Sequence, residues 1–345
     1  MALGVASSVN VMKESVYATN PAAASYGIPF TSEGFQLTIN RAKSNNIVSG
    51  ASYSSVYDAG KYVEWSLSGD CLYNRMDHLI LGVMGAVATT EDAGDTGAET
   101  GCHINIFTPS NTLPSFTFEV SKGNIPASGI YEYVGCMVSR LEIAGDDTGA
   151  LRFTASGFGK DETSAATTGD TVTAVVAQTA TYLTDPILVQ KATIYDIGTG
   201  ASTAECVKSF RLVIDRKLQP DDFCWGSAVP NQPSVTDFME VTGEFTIKFA
   251  SRAAYEDYKA QTDVAANVKF VSANEVVAAG AANLRILDIL INNMRYDAPG
   301  GIALVDTPGL LIARLPFTAY GTGGSAATSQ PLAIRTVNNV DADTL

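Results

Sequence analysis

The sequence predicts a mainly β fold made of two tandem, internally duplicated β-sandwich or partial-barrel domains, each with one flanking α-helix. Short runs rich in β-branched and aromatic residues, mostly alternating apolar with polar, occur along the whole chain. Loops rich in Gly, Asp, Thr, Asn and Pro separate them. In addition, GFQLTINR at 34–41 returns as SFRLVIDR at 209–216, which is 209 − 34 = 175 residues later.

The alternating runs define the predicted strands, and helical periodicity occurs in two places. The predicted strands are residues 36–41, 63–69, 103–107, 115–120, 137–143, 151–157, 211–215, 244–249, 284–291 and 310–320. A helix is predicted over 71–84, with Asp70 placed to cap its first turn. A second helix is predicted over 251–262, with Ser251 as its candidate N-cap.

The order of these elements repeats. Each half has a strand, a loop, a second strand, a helix, a loop and then two paired strands. Local pairs agree with this, since VEWSLSG at 63–69 aligns with GEFTIKF at 243–249. Chance similarity of alternating strands is the competing explanation, but the shared order favours duplication. The expected division is an extended arm at 1–30, a first domain at 31–190 with a polar excursion at 160–175, and a second domain with a C-terminal tail at 191–345.

Length, charge and cysteine content limit the class of protein. A chain of 345 residues fits two domains of ordinary size. With 22 Lys and Arg against 36 Asp and Glu, its net charge of −14 disfavours a protein that grips nucleic acid or an anionic membrane. No apolar run is long enough to cross a bilayer, and no secretory signal is expected. The five cysteines are odd in number and scattered, which predicts buried thiols without disulfides.

Chemical motifs point to no active site. The chain has only two histidines, His78 and His103, and His78 is predicted to pack on the first helix. Cys102 and His103 have no zinc-type spacing with the other cysteines. The DTPG string at 306–309 lacks a phosphate-binding loop, and the acidic loops lack the calcium pattern. The sequence therefore predicts no catalytic, cofactor-binding or metal-binding residues, and a protein that is not an enzyme.

The stretch at 113–160 resembles the tail tube proteins of long-tailed, siphovirus-like bacteriophages, in their duplicated-domain form. The features that carry the resemblance are Pro114-Ser115-Phe116, then Tyr133 and Gly135, then Val138, Leu141 and Ile143, and the closing Gly149 to Gly159. As an order of elements, the resemblance extends over roughly 26–340.

This resemblance implies a structural virion protein of the phage tail, made in the host bacterial cytoplasm. Six domains would form a ring around a channel, so a duplicated chain would build a pseudo-hexameric ring from three copies rather than a true hexamer. Stacked rings would form the tube, through which genomic DNA passes without specific binding. Tape-measure, tail-terminator and baseplate proteins are the further partners implied, and no cofactor or membrane is involved.

In that family, a long loop between the first two strands of each domain reaches the neighbouring ring, and here the matching segments are 42–62 and 217–242. Both are unusually apolar for loops. The contact candidates between subunits or rings are Ile47, Val48, Tyr53, Phe223, Trp225 and Val229. The alternative is that these side chains fold back on their own domain.

Two other functions fit the sequence less well. One is another phage β-domain component, such as a capsid decoration or a sheath-like protein. The other is a two-domain β-sandwich that binds carbohydrate or protein as a monomer, with Trp65 and Trp225, the only tryptophans, lining a cleft.

Overall fold

The computed structural model describes residues 7–21, 26–44, 55–91, 102–122, 130–146, 149–164, 185–189, 192–195, 207–220, 222–248, 253–276, 284–297, 304–305, 312–324 and 327–341. They form a mainly β, antiparallel structure, as the sequence predicts. The first half contains β1 (Ser8–Lys13), β2 (Tyr26–Gly27), β3 (Ser32–Lys43), β4 (Val56–Asp70), α1 (Asp77–Met84), β5 (Gly85–Glu91), β6 (His103–Pro109), β7 (Phe116–Ser121), β8 (Ile130–Asp146), β9 (Arg152–Gly159) and β10 (Asp161–Ser164). The second contains β11 (Ala192–Tyr195), β12 (Val207–Asp215), β13 (Leu218–Gln219), β14 (Ser234–Val235), β15 (Glu240–Lys248), α2 (Ala253–Ala260), β16 (Val264–Glu275), β17 (Leu284–Tyr296), β18 (Leu304–Val305), β19 (Ile312–Ala319) and β20 (Leu332–Asn338).

The predicted repeat of element order is present as a repeat of strand pairings. In the first half the antiparallel pairs are β1–β7, β3–β4, β4–β9, β7–β8, β8–β9 and β8–β10. In the second half they are β11–β16, β12–β15, β15–β19, β16–β17, β17–β19 and β17–β20. Each half is therefore the same two-layer arrangement, in which one long strand, β8 or β17, belongs to both layers.

The long strand changes layer at a bulge. In β8 the register with β7 shifts next to Gly135, which has φ +67. A Cβ at Gly135 would lie 3.0 Å from the Tyr17 ring, so both conformation and space favour glycine there. In β17 the register with β16 shifts between Ile291 and Met294. The bulges bend the long strands, and the buried apolar residues of both halves form one continuous core.

Aromatic side chains form a cluster in each half of this core. In the first half, Phe35 lies against Trp65, Phe118 and Tyr133, with ring centroids 5.1–5.9 Å apart. In the second half, Phe245 stacks between Phe210 and Phe317 at 5.2 and 5.0 Å. The first cluster joins strands of both layers of its half, whereas the second lies across three neighbouring strands of one layer, β12, β15 and β19.

The first helix is shorter than predicted. It begins at Asp77, with Met76 as N-cap, whereas Asp70 is the last residue of β4, so the predicted cap at Asp70 is wrong. The cause is tertiary: the Cys71 N–H donates to Leu151 O at 2.7 Å, and Cys71 O accepts from the Ile187 N–H at 2.9 Å. These bonds hold the residues after β4 in extended pairing. The second helix spans Ala253–Ala260, and Ser251 lies outside the described residues.

The segment before β3 joins the first sheet. β1 pairs with β7 along its whole length. Next to it, the buried Glu14 carboxylate accepts hydrogen bonds from Thr117 Oγ1 at 2.7 Å, from the Gly135 N–H at 2.8 Å and from the Ala18 N–H at 2.7 Å. Much of the predicted 1–30 segment therefore lies against the first half of this chain.

Strand pairing, a hydrogen-bonded carboxylate and an ion pair are among the contacts that tie the halves together. β12 pairs with β8, and β20 pairs with β6, so that the β5–β6 hairpin extends the sheet of the second half. At the helix, the buried Asp77 carboxylate accepts from Thr336 Oγ1 at 2.7 Å and from Asn338 Nδ2 at 2.8 Å. The third is an ion pair between Asp185 and Arg285, 2.8 Å apart. The thiols of Cys71, Cys102 and Cys136 are buried, while Cys224 is exposed.

Candidate assembly interface

The junction between β12 and β8 joins the two halves of the chain, whose strand pairings are alike. Leu212 lies opposite Ile143, and Ile214 lies opposite Leu141, in an antiparallel ladder. On the exposed face of this junction, Arg211 binds Glu142 through two hydrogen bonds of 2.7 and 3.0 Å. The hydrogen bonds from Arg211 lower the pKa of Glu142 below its usual value. Main-chain pairing, apolar packing and an ion pair thus hold the two halves side by side.

The corresponding strand of the first half, β3, pairs with β4 along one edge. Within the described part of the chain, no strand pairs with the other edge of β3. Ile39 near its C-terminal end is 41% exposed. An unpaired edge strand presents N–H and C=O groups to any strand that can align with it.

The segment between β12 and β15 is an ordered loop. Lys217, with φ +50, begins it, and the Thr236 hydroxyl closes it by donating to Lys217 O at 2.7 Å. Between these residues, β13 pairs with β14. At the tip, the Ser227 hydroxyl donates to Val229 O at 2.6 Å.

The loop lies against the first half of the chain. A Cβ at Gly60 would lie 2.9 Å from Phe223 Cε1, so the Phe223 ring packs directly on the β4 backbone. The Lys61 N–H donates to Ala228 O at 2.9 Å, and the Tyr17 hydroxyl donates to Asn231 O at 3.3 Å. Of the predicted contact residues, Phe223 and Val229 are thus partly buried within the chain.

Unlike Phe223 and Val229, Trp225 has a fully exposed side chain. Phe238, in the same loop, is 90% exposed, and sequence reasoning did not include it among the candidates. The signal that could have found Phe238 was available, since it is an aromatic residue within the predicted segment 217–242. Two large exposed aromatic side chains on one ordered loop are typical of a contact surface.

The other three predicted contact residues, Ile47, Val48 and Tyr53, lie outside the described residues. The structure describes the residues that follow them at the start of β4. There, Val56 and Tyr57 are 57% and 55% exposed. An assembly role for the 42–62 segment stays a prediction.

The exposed face of the continuous sheet carries charges of both signs. Glu142 accepts from Arg140 at 3.0 Å as well as from Arg211. The Arg152 guanidinium lies 3.8 Å from the Asp70 carboxylate. Each of these arginines therefore has an acidic partner on the same face, which reduces its attraction for other anions.

The histidine on the first helix is a packing residue. His78 is buried on α1 with its ring 4.8 Å from that of Tyr26, and burial lowers the pKa of His78 to about 3. Its imidazole is therefore neutral, as a packing role requires. In the described ranges, no group of three or more His, Cys, Asp or Glu side chains is arranged to hold a metal ion. No helix in those ranges is long and apolar enough to span a membrane.

Comparisons with known proteins agree with this architecture. No curated protein matches the chain. A family model described as "Phage tail tube protein" matches residues 4–319, which is most of the chain. The matched region includes the first half, the second half as far as β19, the β12–β8 junction and the exposed aromatic loop. The chain therefore belongs to the phage tail tube protein family and is a structural component of the virion tail.

Proposed function

We propose that three copies of this chain form a ring of six similar domains, and that the rings stack into the tail tube through which genomic DNA passes during ejection. The observation that carries this proposal is the pairing of β12 with β8. It supplies, within one chain, a template for how one such domain can sit beside the next.

Closure of the ring follows from the repeat. β3 corresponds to β12 and has an open edge, while β17 corresponds to β8 at the opposite end of the sheet. Addition of β3 from one copy to β17 of the next would repeat the internal junction at each boundary between copies. Such head-to-tail contacts give a closed ring when the rotation per step divides a full turn.

Stacking would use the loop that carries Trp225 and Phe238. Both aromatic side chains are exposed in the single chain, and burial of such side chains is a strong driving force for association. We include the 42–62 segment, with Ile47, Val48 and Tyr53, in the same contact. Phe223 and Val229 would hold the loop against the first half of its own chain rather than contact the next ring.

Passage of DNA requires a channel that does not retain phosphate groups. If the exposed face of the continuous sheet lines the channel, Arg140, Arg211 and Arg152 on that face are already paired with Glu142 or Asp70. The net charge of −14 also disfavours binding of phosphate groups. Binding of phosphates by free Lys or Arg would slow transit, because each contact releases counterions and adds affinity.

The remaining parts of the proposal follow from a structural role. We expect no catalytic activity. Tape-measure, tail-terminator and baseplate proteins are the proposed partners at the inside and the ends of the tube.

The test is negative-stain electron microscopy of the purified protein over a concentration series, with light scattering to measure mass. Rings with the mass of three chains, or hollow tubes built from them, are expected. A particle that stays monomeric at high concentration would overturn the proposal. Rings with the mass of six chains would overturn the three-copy arrangement alone.

A further inference from the structure

The chain leaving β12 fills a site on the first half. The Arg216 N–H donates to Ser139 O at 2.8 Å, which extends the β12–β8 ladder by one bond. The buried Arg216 guanidinium donates to Ser110 O, in the turn before β7. This turn and the segment of β8 just after its bulge therefore form a receptor for the residue that ends β12.

An apolar contact completes this internal site. Leu218, two residues after Arg216, packs with Leu113 and Met137. All three side chains are buried. The internal junction thus combines one buried guanidinium with a small apolar cluster.

The second half contains the corresponding site. Cys136 on β8 and Met294 on β17 are the first paired residues after the two bulges. Ser139 and Asp297 follow them by the same distance, since 139 − 136 = 3 and 297 − 294 = 3. The turn before β7 likewise corresponds to the turn between α2 and β16.

In the second half this site is an open cleft of about 360 Å³. Its lining residues come from the end of α2, the turn after it and the end of β17: Asp257, Tyr258, Lys259, Gln261, Thr262, Arg295, Tyr296 and Asp297. Arg295 is already held by Asp263, with Nε 2.6 Å from Oδ1. The carboxylates of Asp257 and Asp297 and the carbonyl end of α2 supply hydrogen-bond acceptors in the cleft, beside the Lys259 side chain; Asp297 also accepts from the Thr318 hydroxyl.

The repeat identifies the residue that would enter this cleft. Arg41, near the end of β3, aligns with Arg216 in the repeated octapeptide. The strand registers agree with this alignment, because Phe35 faces Trp65 as Phe210 faces Phe245. In the single chain, Arg41 makes an ion pair with Asp58 at 3.3 Å, with both side chains at least 65% exposed.

Arg41 and the cleft lie at opposite edges of one sheet. The strands between them follow the order β3–β4–β9–β8–β12–β15–β19–β17. Seven steps of about 4.8 Å separate the two edges by roughly 30 Å along the sheet. The two sites can therefore meet only between different copies.

We infer that the cleft between α2 and β17 receives the Arg41 side chain of a second copy of this chain. The inference rests on the proposed ring and names the contact that closes it. The Arg41 guanidinium donates to Asp257 and Asp297, in the way that Arg216 donates to Ser110 within the chain.

Positions near Arg41 and in the cleft carry charged residues, as expected for a contact surface that is exposed to solvent until assembly. Met137 of the internal site corresponds to Arg295 in the cleft, and Leu218 aligns with Lys43 on β3. The apolar cluster of the internal junction is thus replaced by polar and charged side chains. Polar residues keep such a surface soluble before it is covered.

The test compares assembly of the full chain in five variants by analytical ultracentrifugation and electron microscopy: Arg41→Glu, Asp257→Arg, the double variant Arg41→Glu/Asp257→Arg, Arg152→Glu and Asp58→Ala. Arg152→Glu is the matched control, because Arg152 is also an exposed arginine with an acidic partner on this sheet. Asp58→Ala removes the intrachain partner of Arg41. Circular dichroism melting checks that every variant is folded.

We expect Arg41→Glu and Asp257→Arg each to raise the concentration needed for ring formation at least about tenfold. The double variant should recover most of this loss, and Arg152→Glu and Asp58→Ala should assemble like the wild type. If the wild type forms rings and Arg41→Glu does so equally well, the inference fails while the proposed ring stands. If the wild type forms no rings at any concentration, the proposed ring fails and this contact with it.

A second measurement does not depend on charge. In a Cys224→Ser background, the pair Arg41→Cys and Asp257→Cys should form a disulfide between copies under oxidising conditions. A ladder of cross-linked species on a non-reducing gel is expected. Monomer alone, from a sample that electron microscopy shows to contain rings, would overturn the inference.

Discussion

The indole of Trp65 lies directly over the backbone of Gly157, its partner on β9, such that a Cβ at Gly157 would be 2.9 Å from Trp65 Cε2. The second half contains the reverse arrangement. There, Gly243 of β15 faces Phe317 of β19, and a Cβ at Gly243 would be 2.7 Å from Phe317 Cε1. Each half thus places an aromatic ring over a glycine of the neighbouring strand. The aromatic lies on β4 in the first half and on β19 in the second, at pairs two positions apart in the aligned strands.

Gly157→Ala should destabilise the first half. The added methyl group has no space beneath Trp65, and overpacking of this kind costs roughly 3 kcal/mol. Urea unfolding followed by fluorescence measures the loss in the free energy of unfolding. Ser156→Ala, a neighbouring residue on the same strand, serves as the control and should change stability little; equal losses in both variants would contradict this explanation.

Asp185→Ala should be strongly destabilising, since the Asp185–Arg285 pair is buried, with side chains 12% and 6% exposed. Ser272 Oγ also donates to Asp185, at 2.8 Å. Removal of the Asp185 carboxylate leaves the Arg285 charge buried without this partner, which lowers the free energy of unfolding by about 3–5 kcal/mol.

The matched control for this pair is Asp58→Ala, which breaks the exposed pair with Arg41 and should cost less than about 1 kcal/mol. Thermal unfolding of both variants makes the comparison. A loss at Asp185 no larger than that at Asp58 would show that this connection between the halves does not stabilise the fold.

Asp77 should make stability depend on pH. Burial raises the pKa of Asp77 to about 6, against hydrogen bonds from Thr336 and Asn338 that act to lower it. The folded chain therefore holds this proton more tightly than the unfolded chain. The resulting stabilisation is complete below about pH 4 and is lost as the pH rises through about 6, a change of roughly 3 kcal/mol.

The measurement is the free energy of unfolding in urea from about pH 4 to pH 7, for the wild type and for Asp77→Asn. The wild type should lose stability relative to Asp77→Asn as the pH rises, because asparagine does not titrate in this range. Asp58→Asn provides an exposed control that should follow the wild type. Parallel curves for the wild type and Asp77→Asn would contradict the prediction.

Trp225 offers an optical test of stacking. The chain has two tryptophans, of which Trp65 is buried and Trp225 is exposed. In the single chain, acrylamide should therefore quench one fraction of the fluorescence readily and leave the other protected. If the loop forms the contact between rings, the accessible fraction should become protected in tubes.

Trp225→Ala tests the same contact by mutation. We expect an unchanged melting temperature but shorter tubes or isolated rings, because the side chain makes little contact within the chain. Phe223→Ala, by contrast, should lower the melting temperature, because Phe223 packs on Gly60. Tubes of normal length from Trp225→Ala would remove Trp225 from the stacking surface.

Much of the fold was predictable from local patterns. Alternation identified strands such as β9 and β19, and the repeated octapeptide identified β3 and β12 as corresponding elements. The alternation of apolar and polar residues shows which face of a strand is buried. It can therefore be identified from the sequence without knowing the partner strand. The same reasoning located the loop that carries Trp225 but did not single out Phe238.

The sequence by itself determined the strand-rich composition, the repeat, the acidic charge and the segment that carries the exposed aromatic loop. Tertiary structure alone decided that β12 pairs with β8, that β3 has no second partner strand among the described residues, and that Phe223 turns inward while Trp225 turns outward. It also decided that α1 begins at Asp77, because Cys71 pairs with Leu151 and Ile187. The reason is that strand pairing joins residues far apart in the chain, so the choice of partner depends on packing and hydrogen bonds that no local pattern records.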